Sequence, residues 1–250
     1  MRILKIALLN IIFYTLFITF TSIAIPFLGS LVVIFVLLFP KRLALRRLRR
    51  AISWYGAVII RILPFPFVRL RVKDYSNNDV AGPYLFVCNH RAASDPFLLG
   101  VLPYECIQVA NIWTFRLPVL GFVAKLAGYL SVREIPFEDF FKKTCGLLAE
   151  GVCIATFPEG TRSRDKSVGQ FHGAIFRVAL ETKRPIVPIC ITGNESIPPV
   201  GSSILRPGLI KIHLLPAIIW EEYRDFSPFK LKNYVRDIIA KEVVLMDEGK

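Results

Sequence analysis

The chain has 250 residues, enough for one sizeable core, and 54% of them are hydrophobic. Mean hydropathy is +0.50, too high for a domain that meets water on every side. Its formal net charge of +13 suits nucleic acid or an anionic membrane surface, and the hydrophobicity decides for the membrane and against nucleic acid.

Residues 3–39 are almost continuously apolar. As one straight helix they would extend about 55 Å, against a hydrocarbon core of about 30 Å. A bend is therefore expected, and Pro26, Gly29 and Ser30 are where the sequence offers one. Arg2 and Lys5 precede the run, and Lys41, Arg42, Arg46, Arg47, Arg49 and Arg50 follow it. Basic flanks at both ends predict that both ends stay on the cytoplasmic side, as in a membrane-embedded helical hairpin, with a single tilted span as the alternative. Ser22-Ile23-Ala24 resembles a signal-peptidase site, but the second apolar run and the basic cluster behind it argue against cleavage. The basic cluster reads as an anchor for lipid headgroups. Residues 51–63 continue as an apolar helix with Trp54 and Tyr55 at interfacial positions, ended by Pro64 and Pro66. The division expected is an N-terminal membrane-anchoring segment, 1–63, followed by a globular domain, 64–250.

From about residue 68 short apolar runs alternate with helical patterns, which predicts an α/β fold: a mixed sheet flanked by helices. Strands are expected at 84–88, 152–157, 186–191 and 209–215. The first three are apolar on both faces, as central strands are. Helices are expected at 96–102, 118–127, 138–150 and 172–183, with an amphipathic helix at 228–246. The five cysteines, Cys88, Cys106, Cys145, Cys153 and Cys190, form no C-x-x-C pair and lie mostly in apolar runs. They read as reduced core residues of a domain facing the cytosol.

Two stretches carry chemistry. Asn89-His90-Arg91-Ala92-Ala93-Ser94-Asp95 follows directly on the strand at 84–88, and functional groups gather at the carboxyl ends of strands in α/β sheets. An imidazole can take a proton from an alcohol near neutral pH. A carboxylate on its other nitrogen fixes the tautomer and stabilises the imidazolium. Asp95 before Pro96 equally suits a helix N-cap, and one residue can serve both ends. The second stretch is Phe157-Pro158-Glu159-Gly160-Thr161-Arg162-Ser163, again behind a strand. Gly160 permits a tight turn. Arg162 presents a planar fork of donors suited to phosphate. Thr161 and Ser163 add hydroxyls, and Glu159 is an acceptor for a substrate hydroxyl. Alone, this segment is as readily a polar turn.

Together, in this order and with an apolar N-terminus, the two motifs resemble those of the glycerophospholipid acyltransferases, in particular the 1-acyl-glycerol-3-phosphate (lysophosphatidate) acyltransferases. The resemblance spans roughly residues 70–195. It implies transfer of a fatty acyl group from acyl-CoA or acyl carrier protein to the free hydroxyl of a lysophospholipid, giving phosphatidic acid when the acceptor is 1-acyl-glycerol-3-phosphate. It implies His90 as general base and Asp95 as its orienting carboxylate. Asn89, Glu159, Gly160, Thr161, Arg162 and Ser163 are implied to bind substrate. Phe115-Arg116-Leu117-Pro118-Val119-Leu120-Gly121 and Gly128-Tyr129-Leu130-Ser131-Val132-Arg133 resemble further family blocks, which adds Arg116, Lys125 and Arg133 as ligands for the acceptor phosphate. Pro185-Ile186-Val187-Pro188-Ile189 resembles a block that lines the site. Two departures bear on the acceptor. Asn111 stands where many lysophosphatidate acyltransferases have a basic residue, and Phe171-His172-Gly173-Ala174 stands where a Lys-containing version is common.

No metal or nucleotide cofactor is expected, since no H-E-x-x-H, clustered Cys/His set or nucleotide-type Gly-rich loop occurs. The expected partners are lysophospholipid, acyl thioester, membrane lipids and, as one of two donors, acyl carrier protein. The expected location is the inner (plasma) membrane, with the catalytic domain on its cytoplasmic face. Two other readings fit parts of the chain: a non-catalytic membrane-binding module and a hydrolase that uses His90 against water. A nucleophilic Cys88 is disfavoured because it lies inside an apolar strand.

Overall fold

The computed structural model describes residues 2–76, 80–116, 120–131, 135–163, 165–199 and 201–249, without the side chains of Arg2, Trp113 and Leu120. The chain divides into two compact units, one of residues 1–71, 92–105 and 193–210, the other of 72–91, 106–192 and 211–250.

In the first unit, helix α1 spans Arg2–Leu38 and α2 spans Lys41–Ala57, continued by one π-helical turn, Val58–Ile62. Its short helix α3, Asp95–Leu98, runs into a 3₁₀ turn, Leu99–Val101. Helix α1 is long and apolar enough to cross a membrane, with a mean hydropathy of 2.5 in its most apolar window. At the expected bend, Pro26, Gly29 and Ser30, the helix is not interrupted, and α1 runs through Pro26. Pro26 removes a single intrahelical hydrogen bond. Unwinding the helix would free several more backbone groups, which apolar surroundings make far costlier. Ser30 Oγ also donates to the Pro26 carbonyl at 2.9 Å. The turn comes instead at Phe39 and Pro40, where the sequence changes from apolar to strongly basic.

Helix α2 returns beside α1. Thr21 Oγ1 lies 2.9 Å from the Tyr55 hydroxyl, and the Phe20 and Tyr55 rings stack at 5.5 Å. Leu9, Phe13 and Ala24 of α1 are buried, whereas Ile3, Ile11, Ile18, Phe27 and Val36 are exposed. Asn10 clips α1 to Leu205 through two hydrogen bonds, 2.8 Å to its carbonyl and 2.9 Å from its amide. The basic cluster is partly structural. Arg42 and Arg49 hold Glu105 at 2.6 and 2.8 Å, and Arg49 is buried. Burial pushes the Glu105 carboxyl up, but hydrogen bonds and charge from Arg42 and Arg49 outweigh it and hold it below its ordinary value. Gly100 lets α2 come close: a Cβ there would sit 2.5 Å from the Ser53 carbonyl oxygen.

Strands β1, Val68–Asp74, and β6, Gly208–Leu214, begin in the first unit and continue into the second. The second unit adds β2 (Leu85–Cys88), β3 (Cys106–Val109), β4 (Cys153–Thr156) and β5 (Ile186–Thr192). The sheet order is β1-β6-β5-β2-β4-β3. β2 lies parallel to both β4 and β5, β3 is parallel to β4, and β6 runs antiparallel to β5. The mixed α/β sheet expected from the sequence is therefore present. Its central strand β2 is buried at every position, as its uniformly apolar sequence requires. The remaining helices are α4 (Ile112–Arg116), α5 (Leu120–Ala127), α6 (Phe137–Ala149), α7 (Ala174–Thr182), α8 (Trp220–Tyr223) and α9 (Pro228–Glu248). Helix α9 buries the stripe Leu231, Val235, Ile239, Val243 and Met246 in the core of this unit. The steps of three and four residues put those five on one helix face.

Candidate active site

In the second unit Asn89 and His90 follow directly on β2. Asn89 is buried, and its side chain bonds twice to Ile191 of β5, donating to the carbonyl at 2.9 Å and accepting from the amide at 2.8 Å. It thereby acts as one more rung of the sheet and fixes where β2 stops. His90 follows with its ring 4.8 Å from that of Phe157, centroid to centroid.

The second motif is attached to the His90 backbone. The His90 amide donates to Glu159 Oε1 at 2.7 Å, and the His90 carbonyl accepts from the Ser163 amide at 2.8 Å. The other Glu159 oxygen accepts from the Gly169 amide at 2.9 Å. Glu159, expected to receive a substrate hydroxyl, thus uses both carboxylate oxygens on the protein's own backbone and is itself buried. Gly160 adopts φ +67°, and a Cβ there would meet the His172 ring at 3.2 Å. Thr161 is exposed, while Arg162 and Ser163 are half-buried. Ser163 Oγ donates to Asp165 at 3.1 Å. Hydrogen bonds from Ser167 and Ser163 hold the exposed Asp165 carboxyl below its ordinary value.

Arg116 ends α4 and Lys125 lies in the last turn of α5, both exposed. Arg133 lies outside the described residues, as do positions 117–119 of the block between α4 and α5. Cys88 is fully buried in β2 and is not in a disulfide.

In the first unit Asp95 is completely buried. It opens α3 but does not cap it. The N-cap position belongs to Ser94, and Asp95 Oδ2 reaches back to accept from the Ala92 amide at 2.9 Å. The cap reading of Asp95 is corrected accordingly: its carboxylate closes the loop from 92 to 95. Its second oxygen accepts from the side-chain amide of Asn194, which is also fully buried. Asn194 was missing from the sequence reading. A polar Gly193-Asn194 pair directly behind the apolar run 186–191 was the available signal. Chemically, the second unit offers an imidazole at a strand end and, on the glycine turn bonded to the His90 backbone, a half-buried arginine. The first unit offers a buried carboxylate held by amide donors. That inventory suits base-assisted attack by a hydroxyl on an activated acyl group.

Residues 69–192 match the Acyltransferase family. That match assigns an acyltransferase domain to those residues. A chloroplastic 1-acyl-sn-glycerol-3-phosphate acyltransferase of Arabidopsis thaliana is 30% identical over 186 residues, covering 72% of this chain and 51% of that protein. One from Brassica napus is 28% identical, covering 73% and 55%. The chain spans about half the length of these two plastid relatives. The 1-acyl-sn-glycerol-3-phosphate acyltransferase of Escherichia coli K12 is 22% identical over 79% of this chain and 82% of that protein. A crystal structure of the 1-acyl-sn-glycerophosphate acyltransferase of Thermotoga maritima shares the fold, with a TM-score of 0.78 over 99% of this chain and 98% of that one, at 21% identity.

Proposed function

We propose that this protein transfers a fatty acyl group from a thioester, acyl-CoA or acyl carrier protein, to the free hydroxyl of 1-acyl-glycerol-3-phosphate. The observation that carries the reading is the attachment of the Glu159–Ser163 turn to His90 by two backbone hydrogen bonds. That attachment links a candidate base to a candidate phosphate ligand, and neither motif alone accounts for it. The relatives of that name support the acceptor.

In the reaction His90 takes the hydroxyl proton as the acceptor oxygen attacks the thioester carbonyl. The ester C–O bond forms, the C–S bond breaks, and the leaving thiolate receives a proton. Asp95 has the orienting role, its carboxylate held in place by the Ala92 and Asn194 amide donors. Such general-base help is typically worth about 10²–10⁴-fold. Arg162 holds the acceptor phosphate with Gly160 and Thr161, and Arg116, Lys125 and Arg133 add positive charge. No cofactor is required, because the thioester is already activated. Helix α1 anchors the chain in the inner membrane, with the globular part on the cytoplasmic face.

The test is an acceptor panel with one labelled acyl thioester: lysophosphatidate, glycerol-3-phosphate, other lysolipids and no acceptor. Product from lysophosphatidate above all others is the expected result. Preference for a different lysolipid replaces the acceptor but keeps the reaction, and equal thioester loss without acceptor points to a hydrolase.

A further inference from the structure

Arg91 directly follows His90 in the chain, yet its side chain faces away from solvent, with 2% exposure. A buried guanidinium is stable only when its charge and donors are met. Its Nη1 and Nη2 donate to the two oxygens of Asp247 at 3.0 and 2.6 Å, a bidentate pair. Nη2 also donates to the Lys166 carbonyl at 2.6 Å. Lys166 sits in the left-handed region, φ 69°, a strained conformation for a residue with a side chain. Asp247 lies in the last turn of α9, where the helix dipole disfavours a carboxylate. Arg91 accounts for it being there. A second arginine, Arg236 of α9, holds the same loop by donating to the Gly169 and Val168 carbonyls at 2.9 and 3.0 Å. The loop from 159 to 169 is therefore fixed at its start by His90 and Glu159 and at its far end by α9, which lies wholly outside the family-matched residues 69–192.

We infer that Arg91 and Asp247 form a latch that positions the 159–169 loop, and with it Arg162, for binding the acceptor phosphate. Both are positioning residues that act through Lys166, and the inference rests on the acceptor role given to Arg162 above. Such a latch changes acceptor binding more than turnover, whereas a purely structural pair changes neither selectively.

The experiment uses the full-length protein in mixed micelles, with acyl-CoA and lysophosphatidate varied separately. Asp247→Asn removes the charge and keeps the shape, Asp247→Ala removes the group, and Asp247→Glu keeps the charge. The expected result for the first two is an acceptor KM raised about tenfold, with kcat and thioester KM changed less than about threefold. Tenfold corresponds to about 1.4 kcal/mol, the scale of one charge-assisted contact. Asp247→Glu returns acceptor KM to within about threefold of the parent. Hydrogen exchange gives a readout without activity: the Ser163 and Gly169 amides exchange faster in Asp247→Asn, while those of β5 keep their protection. An unchanged acceptor KM and unchanged exchange at 163 and 169 overturn the latch. So does exchange rising through β5 in every variant, which marks loss of fold. If the parent protein transfers nothing to lysophosphatidate, the proposed function fails, and the exchange result still decides the latch.

Discussion

Replacing Glu159 by Gln isolates what its carboxylate does. In the structure one oxygen accepts from the His90 amide at 2.7 Å and the other from the Gly169 amide at 2.9 Å. The residue is 7% exposed, so water cannot take over either bond. Glutamine keeps one acceptor oxygen but points an NH₂ group at the other amide, leaving a buried N–H without a partner. A buried donor stranded in this way costs about 1–3 kcal/mol, with charge-assisted bonds toward the upper end. Glu159→Gln is therefore expected to lose about 2–3 kcal/mol of stability, and Glu159→Ala, which strands both amides, about twice that. The assay is urea unfolding in detergent, followed by fluorescence, with hydrogen exchange at His90 and Gly169 to localise the effect. The reasoning is refuted if Glu159→Gln unfolds within about 0.5 kcal/mol of the parent and raises only the acceptor KM. That pattern belongs to a carboxylate that meets substrate instead of backbone.

Further expectations concern other parts of the molecule. Gly100→Ala puts a Cβ 2.5 Å from the Ser53 carbonyl oxygen, so the thermal midpoint falls by an amount equivalent to about 1–3 kcal/mol. Glu105→Gln tests the arginine cluster on α2. The folded carboxyl is held below its ordinary value of 4.5, so the ionised form stabilises the fold above that pH and the benefit is lost as pH falls through the folded value. The parent should exceed the variant in stability near neutral pH by about 1–3 kcal/mol, and the gap should close on acidification below 4.5. A gap that is constant with pH counts against the charge argument. Cys88→Ser should keep turnover per folded molecule while losing about 1–3 kcal/mol, because it buries a hydroxyl within β2. Loss of turnover with the fold intact would revive an acyl-cysteine route.

Much of the fold was legible because its strands are apolar on both faces. Residues 84–88, 152–157, 186–191 and 209–215 matched β2, β4, β5 and β6 to within about a residue at each end. β1 was overlooked although Val68, Leu70 and Val72 alternate with Arg69, Arg71 and Lys73, the pattern of an edge strand with a polar face. β3 is as short as β2, but Gln108 interrupts its apolar run and its last two positions are only half-buried, so it lacks the uniformly apolar signature of β2. The hairpin turn was misplaced at Pro26 because the rule that proline breaks helices comes from water, where freed carbonyls find partners. Within the site, the motif residues themselves were legible, but the partners of their carboxylates were not. Glu159 and Asp95 bond to backbone amides, His90 and Gly169 for one and Ala92 for the other, and backbone partners leave no trace in residue type. Asn194 and Asp247 lie about 100 and 156 positions from the residues they serve, and such pairings are set by topology alone.

The central claim is that His90 removes the acceptor's proton. Its most direct measurement is labelled acyl transfer from acyl-CoA to lysophosphatidate by the parent protein and by His90→Ala at equal amounts of folded protein. The account predicts a drop in kcat of at least about 10²-fold, with acceptor KM changed little because Arg162 and its loop remain attached through the backbone of residue 90. Turnover by His90→Ala within a few-fold of the parent, with lysophosphatidate still acylated, would contradict it.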